Sequence, residues 1–283
     1  MNKIRIIPRL DIKGPNLVKG IHLEGLRVLG KPEKFAKFYY ENGADELFFQ
    51  DAVASLYERN SLSDIISKTA KEIFIPLTVG GGIRTIKDIK NVLRAGADKV
   101  SINTAAVKNP EFIREASLKF GSSTIVVAIE AIRQSDGKYL AYTDNGREES
   151  GLEVVSWAKR AEDLGAGEIV ITSVDKEGTG EGFDLNLVKM VAGAVSIPVI
   201  AHGGCSGPED AAKIIMQGQA DAIAVSSILH YHSISEIEKV NENFEVEGNT
   251  SFMESGLIFR KIKPYTIQQI KSEMKNAGIS VRF

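Results

Sequence analysis

Residues 75–83 read IPLTVGGGI, and 122 positions further on residues 197–205 read IPVIAHGGC. The stretch GADELFFQD at 43–51 meets its counterpart GAGEIVITS at 165–173 with the same offset. Each is a short apolar run ending on polar or glycine residues. A constant offset over separate segments implies a half that occurs twice in the chain. Two similar packing problems are the alternative source of the likeness, but packing asks for apolar residues and gives no reason for paired glycines.

Working outward, runs of the same kind recur as IRII, ELFF, IPLTV, KVSI, TIVVAI, EIVIT, IPVIA and AIAV. Between them lie amphipathic stretches of helical length, among them PEKFAKFYYENGA, TIKDIKNVLRAGA, LEVVSWAKRAEDLGA and GPEDAAKIIMQGQ. Strand and helix alternate with little spare chain, the pattern of a parallel sheet covered by helices. Eight such units in roughly 250 residues predict a closed (β/α)8 barrel with an internal half-barrel repeat. An open doubly wound sheet is the alternative, although no Gly-x-Gly-x-x-Gly follows a strand to support its dinucleotide-binding form. The chain 1–283 reads as this single barrel, with an insertion over 234–262 before the final helix TIQQIKSEMKNAG. The insertion reads either as a hairpin or partner-binding flap, or as a surface excursion.

A chain of 283 residues that is 43% hydrophobic and 25% charged buries a full-sized core and fits an ordinary soluble protein. Its net charge of -2 gives no electrostatic reason to expect a nucleic-acid or membrane-surface partner. Cys205 is the only cysteine, which excludes an intrachain disulfide, and the start MNKIRIIPRL has no apolar segment long enough for export or insertion. The expected location is the cytoplasm.

In such a barrel a polar residue at the C-terminal end of a strand points into the mouth. Asp11 follows IRIIPRL and Glu130 follows TIVVAI, the first and fifth of the eight runs, so the two carboxylates are expected to face each other across one pocket. A pair of this kind suits proton transfer on opposite sides of a substrate, because different surroundings split the two pKa values. Two solvated strand ends are the plain alternative. Asp51, after ELFFQ, is a third candidate with the expected role of orienting Lys19. His22, His230 and His232 lack metal-like spacing and read as incidental, so no metal is expected on them.

Glycines indicate what is held. Gly80, Gly81 and Gly82 follow the third run and Gly203 and Gly204 the seventh, allowing close backbone approach beside helix N-termini. Asn103 and Thr104 after the fourth run, Ser226 and Ser227 after the eighth, and Gly178 and Thr179 after the sixth add donors. One anion site per half, with the Gly82 and Gly204 loops opposite one another, suggests a substrate phosphorylated at both ends; turns required by tight packing are the alternative. At the other end, Arg5, Glu46, Lys99 and Glu168 stand at strand starts, where a ring of alternating charge satisfies each member. It reads as a gate for a small molecule or as a solvent-facing rim.

Through RLDIKG, NLVKGIHLEGLR, ADELFFQD, TVGGGI, GADKVSINTAAV, GAGEIVITSVDKEGTGEGFD and the closing AGISVR, the chain resembles the cyclase-subunit family of imidazole glycerol phosphate synthase. The likeness runs from Lys3 to about Tyr231 and from Tyr265 to Arg282. It implies a histidine-biosynthesis barrel that takes ammonia from a glutaminase partner in a heterodimer. The implied reaction converts a ribulosyl aminoimidazole carboxamide bisphosphate nucleotide into imidazole glycerol phosphate and a carboxamide ribotide. The family's catalytic aspartates fall on Asp11 and Glu130, its substrate-orienting lysine on Lys19, its ammonia gate on Arg5, Glu46, Lys99 and Glu168, and its glutaminase contact on Asp98. The chain departs from the pattern at Glu130, at Glu177 and His202 where Asp and Ser stand near the second phosphate, at Arg9 where a small or neutral residue is usual, and in the 234–262 insertion. These departures leave open a paralogue that places nitrogen in amidino sugars for surface polysaccharides, a related ketose-forming isomerase barrel, and a non-catalytic barrel that only binds a glutaminase.

Overall fold

The computed structural model describes residues 3–53, 62–237 and 262–283. Its strands are β1 (Arg5–Lys13), β2 (Asn16–Ile21), β3 (Glu24–Gly30), β4 (Leu47–Asp51), β5 (Leu77–Gly80), β6 (Lys99–Ile102), β7 (Ile125–Arg133), β8 (Tyr139–Thr143), β9 (Glu148–Glu153), β10 (Glu168–Ser173), β11 (Val199–His202) and β12 (Ala222–Val225). Strand β1 shows how the sequence specifies a two-sided layer. Ile6, Leu10 and Ile12 belong to the large cluster shared with the helices, while Ile7 belongs to a separate inner cluster. Period-two alternation recurs in β4, where Leu47 and Phe49 face the helices and Phe48 the interior, and in β10, where Ile169 and Ile171 flank inward Val170. Buried on both faces, such strands read in sequence as nearly continuous apolar runs.

β1, β4, β5, β6, β7, β10, β11 and β12 pair in parallel in that order, and β12 pairs back with β1. This is the expected eight-stranded barrel, and closure removes the open sheet from consideration. Its interior is filled by Ile7, Phe48, Val126, Val170, Ile200, Ala222 and Ala224, each worth about 1.5–3 kcal/mol for the large side chains when fully buried. Helices including Pro32–Glu41, Ile86–Ala95, Glu111–Phe120, Val154–Asp163, Leu185–Ala192 and Pro208–Met216 cover the outside. Thr85 and Asp88 form a reciprocal capping box that starts the second of these, as a Thr followed three residues later by an acceptor side chain favours.

Two features were not read from the sequence. β1 and β7 are each nine residues long and overrun the barrel, and each carries an antiparallel meander: β2 and β3 on β1, β8 and β9 on β7. The half-barrel repeat therefore includes its rim. The final helix, Ile267–Asn276, returns to the N-terminal end of the barrel, where buried Lys271 Nζ donates to Gly43 O at 2.7 Å and pairs with Asp45 Oδ1 at 3.0 Å. Of the expected 234–262 insertion, residues up to Glu236 complete the helix Ser227–Glu236 and Ile262 is buried beside Gly180, while 238–261 lie outside the described residues. No helix among the described residues is long and apolar enough to cross a membrane.

Candidate active site

Inward positions of β1 are Arg5, Ile7, Arg9 and Asp11, so a strand that starts in a charge ring and passes an apolar layer ends on a carboxylate. Asp11 and Glu130 both lie at the C-terminal end of the barrel, on β1 and β7, and both are buried. Their surroundings differ. Arg9 Nε donates to Asp11 Oδ1 at 3.1 Å, and Lys19 Nζ lies 3.7 Å from Asp11 Oδ2. Burial alone raises a carboxylate, but the Arg9 and Lys19 charges outweigh it and hold Asp11 below its ordinary value. At Glu130 burial wins: with Arg9 and one backbone bond from Gly146 N at 2.8 Å opposing it, the carboxyl is still pushed up to about 7. One carboxylate is kept ionised and the other is half protonated near neutrality.

Lys19 is gripped by buried Glu177, whose other oxygen accepts from Leu23 N at 3.3 Å. The pair ties the tip of the β2–β3 hairpin to the loop after β10, where His22 N also donates to Glu177 O at 2.9 Å. The expected role of Asp51 is corrected here. Lys19 is oriented by Glu177 and Asp11, whereas Asp51 lines the cavity of the other half and accepts from Val53 N at 3.0 Å.

Cavities open at this end in both halves, besides one of about 250 Å³ under the β2–β3 hairpin that Lys19 and Tyr231 help to line. One of about 420 Å³ is lined by Gly81, Gly82, Asn103, Thr104, Asp51 and Glu130, among others. A small one of about 20 Å³ is lined by Glu177, Gly178, His202, Gly203, Gly204, Ser226 and Ser227. The glycine loops thus separate by half, as the repeat predicts. Thr179, between the lining residues Gly178 and Gly180, has its hydroxyl donating to Lys176 O at 2.8 Å and accepting from Glu181 N at 3.2 Å, closing its own turn.

His202 sits beside Arg9, whose Nη1 lies 3.1 Å from His202 Nδ1. A guanidinium has no acceptor, so this nitrogen carries no proton. Burial, then Arg9 and Lys19, hold the imidazole well below its ordinary pKa, and it is neutral.

At the opposite end the four charged strand-start residues form a closed ring. Arg5 Nη1 lies 2.7 Å from Glu46 Oε2 and 2.9 Å from Glu168 Oε1, and Lys99 Nζ lies 3.1 Å from Glu46 Oε1 and 3.0 Å from Glu168 Oε2. Each cation bridges both anions, and Thr78 Oγ1 donates to Glu46 at 2.8 Å. Asp98 stands next to the ring, exposed, with its Oδ2 accepting from Leu77 N at 2.8 Å.

Sequence reasoning missed several mouth residues. Gln50, Ser101, Thr172, Asp144 and Asn145 line the larger cavity, together with Arg9, which the sequence marked only as a departure from the family pattern. Asp144 and Asn145 were legible: YTDNG carries the Asn-Gly signal of a tight hairpin turn, and both residues adopt positive φ, 51° and 63°. Thr172 and the partners of Arg9 were not, because nothing in a strand's sequence says how far a long side chain reaches across a barrel. Among the described residues no His, Cys, Asp and Glu cluster suits a metal ion.

A family model described as Histidine biosynthesis protein matches residues 5–235. The chain is 58% identical over 210 residues to the imidazole glycerol phosphate synthase subunit HisF of Legionella pneumophila, covering 74% of this chain and 99% of that protein. It is 48% identical over 256 residues to the subunit of the same name from Methanocaldococcus jannaschii, covering 83% and 94%. Over 231 residues it is 48% identical to that of Alkaliphilus metalliredigens, covering 82% and 92%.

Proposed function

Because the chain belongs to the histidine biosynthesis protein family, we propose that it is the ammonia-using cyclase subunit of imidazole glycerol phosphate synthase. The observation that carries this reading is the pair Asp11 and Glu130, on opposed strands at one mouth and with opposite pKa shifts, beside a glycine-lined cavity in each half. The bisphosphate nucleotide spans the mouth, one phosphate at Gly82, Asn103 and Thr104, the other at Gly178, Gly203, Gly204, Ser226 and Ser227. Ammonia attacks the ketose carbonyl of the ribulosyl arm. Ionised Asp11 relays two protons in turn from the attacking nitrogen to the carbonyl oxygen, the first giving a carbinolamine and the second letting that oxygen leave as water, so that an imine remains. As the new nitrogen bonds to the one-carbon unit and closes the imidazole ring, protonated Glu130 donates to the amino nitrogen of the departing carboxamide ribotide, whose bond to that carbon breaks, and a proton lost from the ring restores Glu130. The carbonyl is already electrophilic, so these steps call on no metal or organic cofactor.

The ring of Arg5, Glu46, Lys99 and Glu168 is the entry for ammonia from a glutaminase docked on the face that carries Asp98. A second reading, the paralogous subunit that transfers nitrogen to a sugar, is favoured by Arg9 and His202, whose side chains occupy the floor of the mouth.

The deciding experiment is mass spectrometry of the pure chain with ammonium ions and the bisphosphate nucleotide, without glutaminase. The expected products are imidazole glycerol phosphate and the carboxamide ribotide in equal amounts, with Asp11→Asn lowering the rate about 10²–10⁴-fold and leaving binding intact. Binding without turnover in both proteins supports instead a barrel that only engages a glutaminase or an altered substrate.

A further inference from the structure

Arg9 is a charged residue inside the barrel with no counterpart in the steps above. It is 3% exposed. Its strand alternates so that it points inward one pleat below Asp11, and side chains two apart on a strand stand side by side. That explains the 3.1 Å contact between Arg9 Nε and Asp11 Oδ1. The rest of the fork spreads over three other strands: Nη1 lies 3.4 Å from Thr172 Oγ1 on β10 and 3.1 Å from His202 Nδ1 on β11, and the guanidinium carbon stands 5.6 Å from the ring centroid of Phe48 on β4. Thr172 Oγ1 also lies 3.1 Å from His202 Nδ1, and Ser226 Oγ donates to the Arg9 carbonyl at 2.9 Å, fixing the strand itself.

Phe48 belongs to the apolar layer that fills the barrel, so Arg9 covers that layer from above while presenting one edge to the mouth. A planar fork held by three acceptors at once has lost its rotamer freedom before any substrate arrives. The carboxylate it grips has lost it too.

We propose that Arg9 is a positioning residue for the reaction at Asp11: bracketed by Thr172 and His202, its guanidinium locks the Asp11 carboxylate in one orientation at the top of the bore. The proposal rests on the cyclase reading only for its turnover arm. Groups facing Asp11 are Arg9 from its own strand, Lys19 from β2 with Glu177 behind it, His202 from β11 and His230 from the helix Ser227–Glu236, with Glu130 across the mouth on β7. With both histidines held neutral by burial, Arg9 and Lys19 are the two facing cations, and removing Arg9 leaves Lys19 shared with Glu177.

The test compares wild type, Arg9→Met and Arg9→Lys in two measurements. In carbon-13 carboxyl spectra of protein labelled at aspartate, with Asp11→Asn identifying the resonance, the Asp11 titration midpoint is expected to move upward in Arg9→Met and to stay near wild type in Arg9→Lys. In ammonium-driven turnover, Arg9→Met is expected to lower kcat roughly a hundredfold, as a displacement of about 1 Å does, with KM for the bisphosphate within about threefold. Arg9→Lys is expected to recover part of kcat, since it restores the charge and not the fork. An Asp11 midpoint unmoved in Arg9→Met, or a loss confined to KM, overturns the proposal. If wild type shows no turnover the cyclase reading fails, and the carboxyl titration alone then decides the role of Arg9. Should Arg9→Met not fold, Arg9→Lys decides: reduced kcat at unchanged KM supports the lock, and wild-type kcat overturns it.

Discussion

Glu130 and Asp11 carry the same functional group and are driven in opposite directions by their neighbours. The backbone N–H of Gly146 and a more distant Arg9 do not offset the burial of Glu130, whereas Asp11 has a guanidinium and an ammonium within 3.7 Å. A carboxyl raised to about 7 is protonated below neutrality, and a proton donor loses its working form as the pH rises through that value. At constant free ammonia, the expected pH profile of kcat/KM for the bisphosphate therefore falls above about pH 7. Glu130→Gln is expected to remove roughly 10²–10⁴-fold of the rate, because an amide in this place cannot give up the proton. Glu130→Asp, shorter by one methylene and intrinsically more acidic, is expected to shift the falling limb to lower pH. A limb unmoved by that substitution assigns it to another group.

The elements that matter most are those the barrel does not need. The hairpin tips at His22 and Leu23 and at Asp144 and Asn145 all hold positive φ, an uncommon state for side chains of this size, and Asn145 Nδ2 donates to Leu23 O at 3.0 Å, so the rims of the two halves brace each other. Beneath them the loop after β11 is built as tightly. Gly204 has φ 96°, and a Cβ there would stand 2.3 Å from Gly182 O, so an added methyl meets backbone on the neighbouring loop. On the proposed reading, in which this loop holds substrate and not the reacting atoms, Gly204→Ala is expected to displace it and raise KM for the bisphosphate about tenfold or more, with kcat changed much less. Steady-state kinetics on the pure chain checks it, and an unchanged KM removes the second anion site from this loop.

At the scale of the molecule, the barrel joins two polar ends through an apolar interior. Arg5 and Asp11 lie six residues apart on one strand, roughly 20 Å at the usual rise, so the charge ring and the mouth communicate only through that bore or around the outside. If ammonia travels the bore, disrupting the ring affects the two nitrogen sources differently. Lys99 bridges Glu46 and Glu168, and Lys99→Ala leaves both carboxylates sharing Arg5. Its expected effect is a severalfold larger loss in glutamine-driven turnover, measured with the glutaminase bound, than in ammonium-driven turnover of the same complex. Equal loss in the two assays counts against passage through the ring.

The sequence by itself determined the eight parallel strands, their repeat at an offset of 122, the two glycine-lined halves of the mouth and the placing of Asp11 opposite Glu130. These follow from local rules: period-two burial, glycine where backbone must approach, polar residues at strand ends. Only the tertiary structure decided that Lys19 answers to Glu177 and not to Asp51, that Thr179 closes its own turn, and that Arg9 reaches across the barrel to Thr172 and His202. Residues 158 or 193 positions apart meet there. The partner of a long side chain is set by barrel closure and strand stagger, which no local stretch of sequence contains, and the pKa of a carboxyl is set by the same distant neighbours.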